Sequence, residues 1–520
     1  MLLTENLKTD ILKNFQSQDL DLAEQKAQFL VNKGFSDPWL CNMLAVIFAK
    51  QKKFTLASEY FKILVNLYPD NSENFFNLGN LYRDSEDNDN AIKYYKLSLE
   101  KNSKSYETLI ELSKVFLKEK KIANAIFYAE KAKKIKTNLY EADGIIAQSL
   151  FSKGEFENSL KIYQGFLKSC SNGDKEKITV NISSNLIELG KITEAKKLLS
   201  SLKTKQAKYN LSLIDLKNGD LIEGWNGYDN GIEVEARLIR QYDKVSKILP
   251  LWSPNKIYKS ILVLGEQGLG DEIMFFPLLK NLFKNNLKVG LLMDRRLKSF
   301  FSRSLDKHDF FEDINQALKE GYESFIPIGS LCKYFLKNHD DFLHSPVYLS
   351  PDKDRVKKIS KLWNSSKPKI GISWHSESLS HGPMRNIKLK KFFKIFTDIN
   401  ADFINLQYGD KKKEINNLNK RNNKNIFLND EIDNKNDLEG LAAKISICDL
   451  VISIDNSTLH FAGSLNKKTF GLIPKAGDWR WMNYTNSTPW YKSITILRQS
   501  DDWEHVIGNL YNFCERKFNN

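Results

Sequence analysis

The chain is 520 residues long, 41% hydrophobic and 12% aromatic, which is enough apolar surface for two to four cores and excludes a disordered chain. A formal charge of +14 would suit nucleic acid or an anionic surface, but 78 basic residues are interleaved with 64 acidic ones and runs such as Lys411-Lys412-Lys413 are short, so solvated faces and no nucleic-acid partner are expected. The opening residues carry Glu5, Lys8 and Asp10 without an apolar leader, and no stretch approaches the roughly 20 apolar residues of a membrane span, which predicts a cytoplasmic protein with no membrane span.

Repeats come first along the chain. Ala23, Ala57, Ala91 and Ala125 stand 34 residues apart, and large residues recur around them: Leu44, Phe48 and Phe61, then Leu78, Tyr82 and Tyr95, then Leu112 and Phe116. Small residues let two antiparallel helices approach, and large ones three or four apart form the stripes they bury, so the period predicts stacked helix pairs. Thirty-four is the tetratricopeptide period. The unit with Phe75, Leu78, Gly79, Tyr82, Ala91 and Tyr95 resembles that pattern closely, and Pro69 ends the unit before it. Later units drift, with Ser159 in the alanine place and Tyr163 after it, then Ala195 with Leu199 displaced. Gly219-Asp220 and Tyr228 mark a last pair. Six or seven pairs are expected, with 1–205 as repeats and 206–255 as the last pair and linker. Such stacks bind an extended peptide or another protein on their concave face. No acid pair or histidine–acid pair recurs on one helix face, so the expected role of this half is recognition.

After Pro250-Leu251-Trp252-Ser253-Pro254 the period changes to short apolar runs alternating with helices. Ser260–Leu264, Lys288–Met293, Ser324–Ile328 and Val347–Leu349 read as strands, with a helix over Glu272–Lys284. The pattern restarts with Lys369–Trp374, Phe403–Gln407, Ile426–Leu428, Leu450–Ile454 and Thr469–Ile473, separated by helices over Leu389–Asp398, Asp437–Ile447 and Thr458–Leu465. Continuous apolar runs indicate strands buried on both faces, and strand–helix alternation indicates parallel sheets. The expected fold is therefore an α-helical solenoid followed by two doubly wound α/β lobes, 256–365 and 366–500, with a cleft between the carboxyl ends of their strands and a last helix over 501–520.

Four segments carry residue types suited to chemistry in that cleft. In Gly265-Glu266-Gln267-Gly268-Leu269-Gly270-Asp271-Glu272, Gly268 and Gly270 allow close backbone approach to a ligand and Asp271 has the type of a base. The glycine spacing is not the dinucleotide fingerprint, and a simple turn capped by aspartate explains it equally. In Ile454-Asp455-Asn456-Ser457-Thr458-Leu459-His460 the cap-type residues begin a helix whose positive end suits a diphosphate. His460 is suited either to donate to a phosphate or to be a structural histidine beside the cap. Trp374, His375 and the loop 376–384 lead into Arg385, whose guanidinium pairs bidentately with phosphate oxygens; Gln407 ends a neighbouring strand. Trp479, Trp481 and Trp490 are of the type that stacks on a sugar or an acceptor, and equally of the type that anchors a loop. Five cysteines, Cys41, Cys170, Cys332, Cys448 and Cys514, are odd in number and far apart, predicting reduced thiols with neither a disulfide framework nor a zinc site.

The ordered series Pro250–Pro254, Gly265–Glu272, Gly371–Trp374 with Arg385, Leu406–Gly409, Asp449–His460, Pro474–Trp481 and Ser487–Tyr491 resembles bacterial tetratricopeptide proteins that end in a glycosyltransferase module similar to the lipopolysaccharide heptosyltransferases. The resemblance covers roughly residues 205–505 and the repeats before them. It implies a metal-independent GT-B fold with the acceptor on the first lobe and a nucleotide-sugar on the second, and no cofactor beyond that donor substrate. Asp271 matches the family's proposed base, Arg385 its basic residue on the phosphates, and Asp455, Ser457, Thr458 and His460 its nucleotide-binding helix start. The family carries a histidine one turn after Gly-Asp, where this chain has Phe275 and Phe276. The expected activity is sugar transfer to an acceptor hydroxyl, with the repeats recruiting a protein such as flagellin. Alternatives are a saccharide or lipid-linked acceptor, or a scaffold whose transferase half is inactive.

Overall fold

The computed structural model describes residues 3–35, 37–136, 140–168, 170–266, 268–283, 287–305, 307–342, 348–363, 365–378, 382–393, 398–420, 426–429, 431–483, 486–500 and 502–519. The chain divides into two compact units, Met1–Ile178 and Thr179–Asn520, and the division falls inside the helix Asn172–Glu188.

In the first unit the 34-residue period becomes antiparallel helix pairs, such as Ser72–Asp84 with Asn88–Lys101 and Tyr106–Lys118 with Ile122–Ile135. Ala23, Ala57, Ala91 and Ala125 are fully buried, so the small positions are the contact points of the paired helices. A second periodic signal lies in the turns. Gln18, Lys52, Glu86 and Lys120 adopt the left-handed conformation with φ between 57° and 66°, and Gly154 repeats it one period later. Each of these pairs is thus closed by one residue in a conformation that L side chains resist, a non-glycine in the first four turns and glycine in the fifth.

The second unit opens on helix pairs that include Lys205–Asn218 with Leu221–Tyr228, as Gly219-Asp220 suggests; Gly219 is left-handed at φ 88°. Four strands follow: β1 (Ser260–Leu264), β2 (Lys288–Leu292), β3 (Asp309–Phe311) and β4 (Ser324–Pro327), all parallel in the order β3-β2-β1-β4. Leu251 bridges Phe325 beside β4, so the Pro250 linker covers that sheet edge. The second sheet contains β5 (Lys369–Ser373), β6 (Asp402–Asn405), β7 (Ile426–Phe427), β8 (Leu450–Ile454), β9 (Thr469–Ile473) and β10 (Ile494–Arg498), again parallel, in the order β10-β9-β8-β5-β6-β7.

Both expected parallel sheets are therefore present, with three differences. Strands β3 and β10 are additional to the expected ones: β3 is only three residues long, and β10 alternates buried and exposed positions at a sheet edge, so neither shows a continuous apolar run. Tyr348 and Leu349 lie outside any strand, because their backbone N–H groups bond the Ser464 carbonyl instead of a ladder; Val347 lies outside the described residues. The helix expected over Glu272–Lys284 begins earlier, at Leu269, and is broken by a tight turn at Phe276–Leu278 where Pro277 lacks an N–H. Of Leu389–Asp398, the helix is described over Leu389–Phe393.

Within the repeats, Gly79 faces Tyr95 so closely that a Cβ there would lie 2.5 Å from the ring. Alanine ordinarily stabilises a helix interior relative to glycine by about 1 kcal/mol. Gly79→Ala is nevertheless expected to destabilise by about 1–2 kcal/mol in urea unfolding, because overpacking outweighs propensity; a stabilised variant would show that this contact relaxes freely.

Candidate functional site

Each sheet reverses the direction of its connections beside its first strand, between β1 and β4 and between β5 and β8. Ligands of doubly wound sheets bind at the strand carboxyl ends there. The glycine-rich segment leaves β1, Trp374-His375 leaves β5, and Asp455–His460 leaves β8. Topology thus collects segments that lie up to about 200 residues apart in the chain.

The glycine-rich segment holds three acids, each with its own cation. Glu266 accepts from Arg237 Nε and Nη2 at 2.6 Å each and from the Gly329 N–H. Arg237 also reaches Asp229 Oδ1 at 2.6 Å and lies over the Tyr228 ring. Glu272 accepts from Arg240 Nε and the Asp294 N–H, both at 2.8 Å; burial pushes its carboxyl up to about 7, against the pull of Arg240. Asp271, in the first turn of the helix Leu269–Phe275, pairs with Arg480 Nε from the segment after β9. Gly268 caps that helix in extended conformation with space beside it, whereas Gly270 is tightly packed. A Cβ on Gly270 would lie 2.7 Å from His460 Cδ2, so here the missing side chain is required by close approach of the two helices.

On the second sheet, Asn456 caps the helix Ser457–Ser464 by accepting the Thr458 N–H at 3.0 Å, and its Nδ2 donates to Ser373 Oγ at 2.8 Å. Ser457 is half-buried at the helix start. The Thr458 hydroxyl is buried with no hydrogen-bond partner. His460 is buried, with Nδ1 3.0 Å from the Tyr491 hydroxyl and its ring against Trp481 at 5.0 Å; burial pushes its imidazole down to about 4. Of the two roles open to it, donor of positive charge or structural histidine, this environment leaves a neutral ring.

Arg385 joins this helix start to Asp271 through a chain of charge. Its Nε lies 3.0 Å from Asp455 Oδ2, an ion pair without the alignment of a hydrogen bond, and its Nη2 lies 3.1 Å from Asp478 Oδ2. Asp478 Oδ1 lies 2.7 Å from Arg480 Nη1, and Arg480 holds Asp271. Asp455 Oδ1 accepts from Trp481 Nε1 at 2.8 Å. Glu188, at the end of the helix Asn172–Glu188, lies in the field of the same charges, and burial pushes its carboxyl up to about 7.

Gln407 is a brace. Its Oε1 accepts from Ser373 Oγ and from the Trp374 and His375 N–H groups at 2.8–3.1 Å, and its Nε2 donates to the carbonyls of His375 and Tyr408. Trp374 is a core side chain, while His375 is half-buried, with burial as the main cause lowering its pKa. Residues 379–381 of the loop before Arg385 lie outside the described residues.

Trp479, Trp481 and Trp490, which follow β9, each pack against neighbouring side chains, the first two buried and Trp490 half-buried. Trp479 is wedged edge-on between Trp225 and Tyr228 at 5.6 and 5.5 Å, Trp481 is fully buried against His460, and Trp490 donates to the Arg480 carbonyl at 2.9 Å while meeting Phe275 and Phe342 edge-on. Phe275 and Phe276, where the similar family carries a histidine, are also core residues; Phe276 stacks on Phe301 at 4.4 Å. Sequence reasoning singles out the tryptophans of this segment and misses Asp478 and Arg480 between them. The available signal was an acid and an arginine two residues apart, interleaved with tryptophans. Arg237 and Arg240 carried no signal, since their partners are fixed only by the fold.

Residues 72–104 match the tetratricopeptide repeat family model. They coincide with the Ser72–Asp84 and Asn88–Lys101 pair. The chain carries tetratricopeptide repeats. Protein FlbA of Caulobacter vibrioides is 26% identical over 318 residues, covering 56% of this chain and 52% of FlbA. Anaphase-promoting complex subunit CDC16 of Saccharomyces cerevisiae is 30% identical over 138 residues, covering 25% of this chain and 16% of that protein. The chain thus spans about half or less of the length of these relatives. A crystal structure of a tetratricopeptide repeat protein from Parabacteroides merdae is 14% identical, with a TM-score of 0.40, over 47% of this chain and 96% of that one. MamA matches 35% of this chain and 94% of its own at 18% identity and a TM-score of 0.29. Likeness at that level adds nothing to the repeats seen in the helix pairs. Among the described residues, no helix is long and apolar enough to cross a membrane.

The neutral state of His460 has a measurable consequence. Unfolded histidine titrates near ~6.5. Between that value and about 4 the unfolded chain binds a proton that folded His460 does not, so its contribution to stability is complete above ~6.5 and is lost as pH falls. His460→Gln removes the titration. The margin of wild type over this variant in urea unfolding is expected to shrink by roughly 2 kcal/mol between about pH 7.5 and pH 4.5; a constant margin would refute a buried neutral imidazole.

Proposed function

We propose that the Thr179–Asn520 unit is an inverting glycosyltransferase of the GT-B type, acting without a metal, and that the repeats recruit a protein acceptor such as flagellin. One observation carries the reading: the helix starts at Leu269 and Ser457, from two different parallel sheets, meet at Gly270 against His460, with Asp271 and Arg385 on one connected chain of charges. An acid and a phosphate-type clamp at facing strand ends are what transfer from a nucleotide-sugar requires.

In this reaction Asp271 takes the proton of an acceptor hydroxyl as that oxygen bonds to the anomeric carbon. The bond from that carbon to the diphosphate oxygen breaks on the opposite face, and its electron pair stays with the leaving nucleoside diphosphate, inverting the configuration. Arg385 and the positive end of the helix that starts at Ser457 balance the charge gained there. Neutral His460 can give a hydrogen bond but no positive charge. Arg385 already faces Asp455 and Asp478, so a diphosphate must compete with these carboxylates for its guanidinium. Gln407 acts through the backbone of Trp374 and His375, which it holds in place.

A thermal-shift series with nucleoside diphosphates and their sugars is expected to raise the melting temperature for one nucleotide class, since a ligand of the folded state stabilises it by mass action. With that donor and candidate acceptor proteins, Asp271→Asn should lower turnover by about 10³-fold while changing nucleotide affinity by less than about threefold. Full turnover in the variant would remove Asp271 from its role. No stabilisation by any nucleoside diphosphate at millimolar concentration would leave the repeats as a scaffold, and labelling of a saccharide instead of a protein would assign them to assembly.

A further inference from the structure

Arg480 stands between the two sheets' contributions to the site. Its Nε pairs with Asp271, carried by the helix after β1, while Nη1 lies 2.7 Å from Asp478 Oδ1 in its own segment. Its backbone is fixed as well, with its N–H bonding Asp478 Oδ1 at 3.2 Å and its carbonyl accepting from Trp490 Nε1 at 2.9 Å. The guanidinium lies over the Trp479 indole at 4.7 Å, and that indole is wedged against Trp225 and Tyr228. Only 13% of the Arg480 side chain is exposed. A planar cation so confined cannot be replaced by water around Asp271, and it cannot lose its proton.

Among the described residues, His460 and Tyr491 also face Asp271, and neither provides a positive charge. His460 is neutral, and burial holds the Tyr491 hydroxyl protonated. Around Arg480 itself lie Asp478, which is negative, and Tyr228 and Tyr209, whose hydroxyls burial also raises, the latter to about 12. A buried carboxylate without a cation takes up a proton instead of keeping its charge. A protonated Asp271 could not accept the acceptor's proton.

We propose that Arg480 is the positioning residue of the site: it keeps Asp271 ionised and aimed, so that a carboxylate withdrawn from water works as a base at neutral pH. This rests on the transfer reading above, in which Arg480 has no assigned part. It acts through Asp271 and is not placed on the substrate.

Two measurements test it. In the first, melting temperature is followed from about pH 5 to pH 8 for Arg480→Gln and for Arg480→Gln combined with Asp271→Asn. Without its cation Asp271 titrates above its unfolded value, so the single variant should lose stability as pH rises while the double variant lacks that slope. Equal slopes overturn the proposal whether or not the protein transfers sugar, which separates its failure from failure of the transfer reading. In the second, the pH dependence of kcat is compared among wild type, Arg480→Gln and Arg480→Lys. The acid limb should move up by about one pH unit or more in the glutamine variant and largely return with lysine, with KM for the donor changed less than about threefold. Should Arg480→Gln fail to fold, Asp478→Asn gives the opposite sign: loss of a negative neighbour moves the acid limb down. An unmoved limb in that folded variant, or in Arg480→Gln, contradicts the assignment.

Discussion

Asp271, Asp455 and Asp478 are withdrawn from water at the carboxyl ends of two different sheets, and an isolated carboxylate in such surroundings does not keep its charge. Arg480 and Arg385 alternate with them in one chain, so that every acid touches a guanidinium and every guanidinium touches two acids. The pairing is reciprocal in its consequences. Removing either arginine leaves one buried carboxylate, Asp271 or Asp455, without a cation and Asp478 with one guanidinium in place of two, and removing Asp478 strands both cations in part. Because the chain crosses from the helix after β1 to the helix after β8, it also fixes how those helix starts face each other. The three aspartates and two arginines sum to one negative charge, so an incoming anion is accommodated only by exchange of partners within the chain.

A frame of aromatic rings holds this chain in place. Trp479 lies under the Arg480 guanidinium, Trp490 bonds its carbonyl, Trp481 bonds Asp455, and Trp225 and Tyr228 of the last helix pair pack against Trp479. That pair comes close because its glycines carry no side chain: a Cβ at Gly224 would lie 2.6 Å from Leu216, and one at Gly227 2.7 Å from Ser212. The Asn483 N–H bonds the Lys217 carbonyl at 2.7 Å, tying the same pair to the end of the tryptophan segment. The helices just before the first strand are therefore part of the wall of the site. Their aromatic residues pack on the indole that lies under Arg480, the partner of Asp271, so an element built on repeat geometry reaches a strand end of the first sheet.

Much of this was legible in the sequence. The 34-residue period, the alanines at the helix contacts and the apolar runs of β1, β5, β8 and β9 are local signals, since burial on both faces leaves its mark residue by residue. The motifs after β1 and β8 could be singled out because glycines and capping residues mark a strand-to-helix turn, although such a turn serves the backbone as readily as a ligand. Edge strands β3 and β10 escaped, having too few residues or too much exposure to show a period.

What tertiary structure alone decided is which charge meets which. Asp271 and Arg480 are 209 residues apart, Arg237 and Glu266 29, and no spacing rule links either pair. The same holds for the tryptophans, whose amphipathic character suits a ligand or a core equally until their neighbours are known. Local patterns record what one segment needs for burial and backbone geometry. Long-range ion pairs and ring contacts depend on sheet order and helix approach, which exist only once the whole unit has folded.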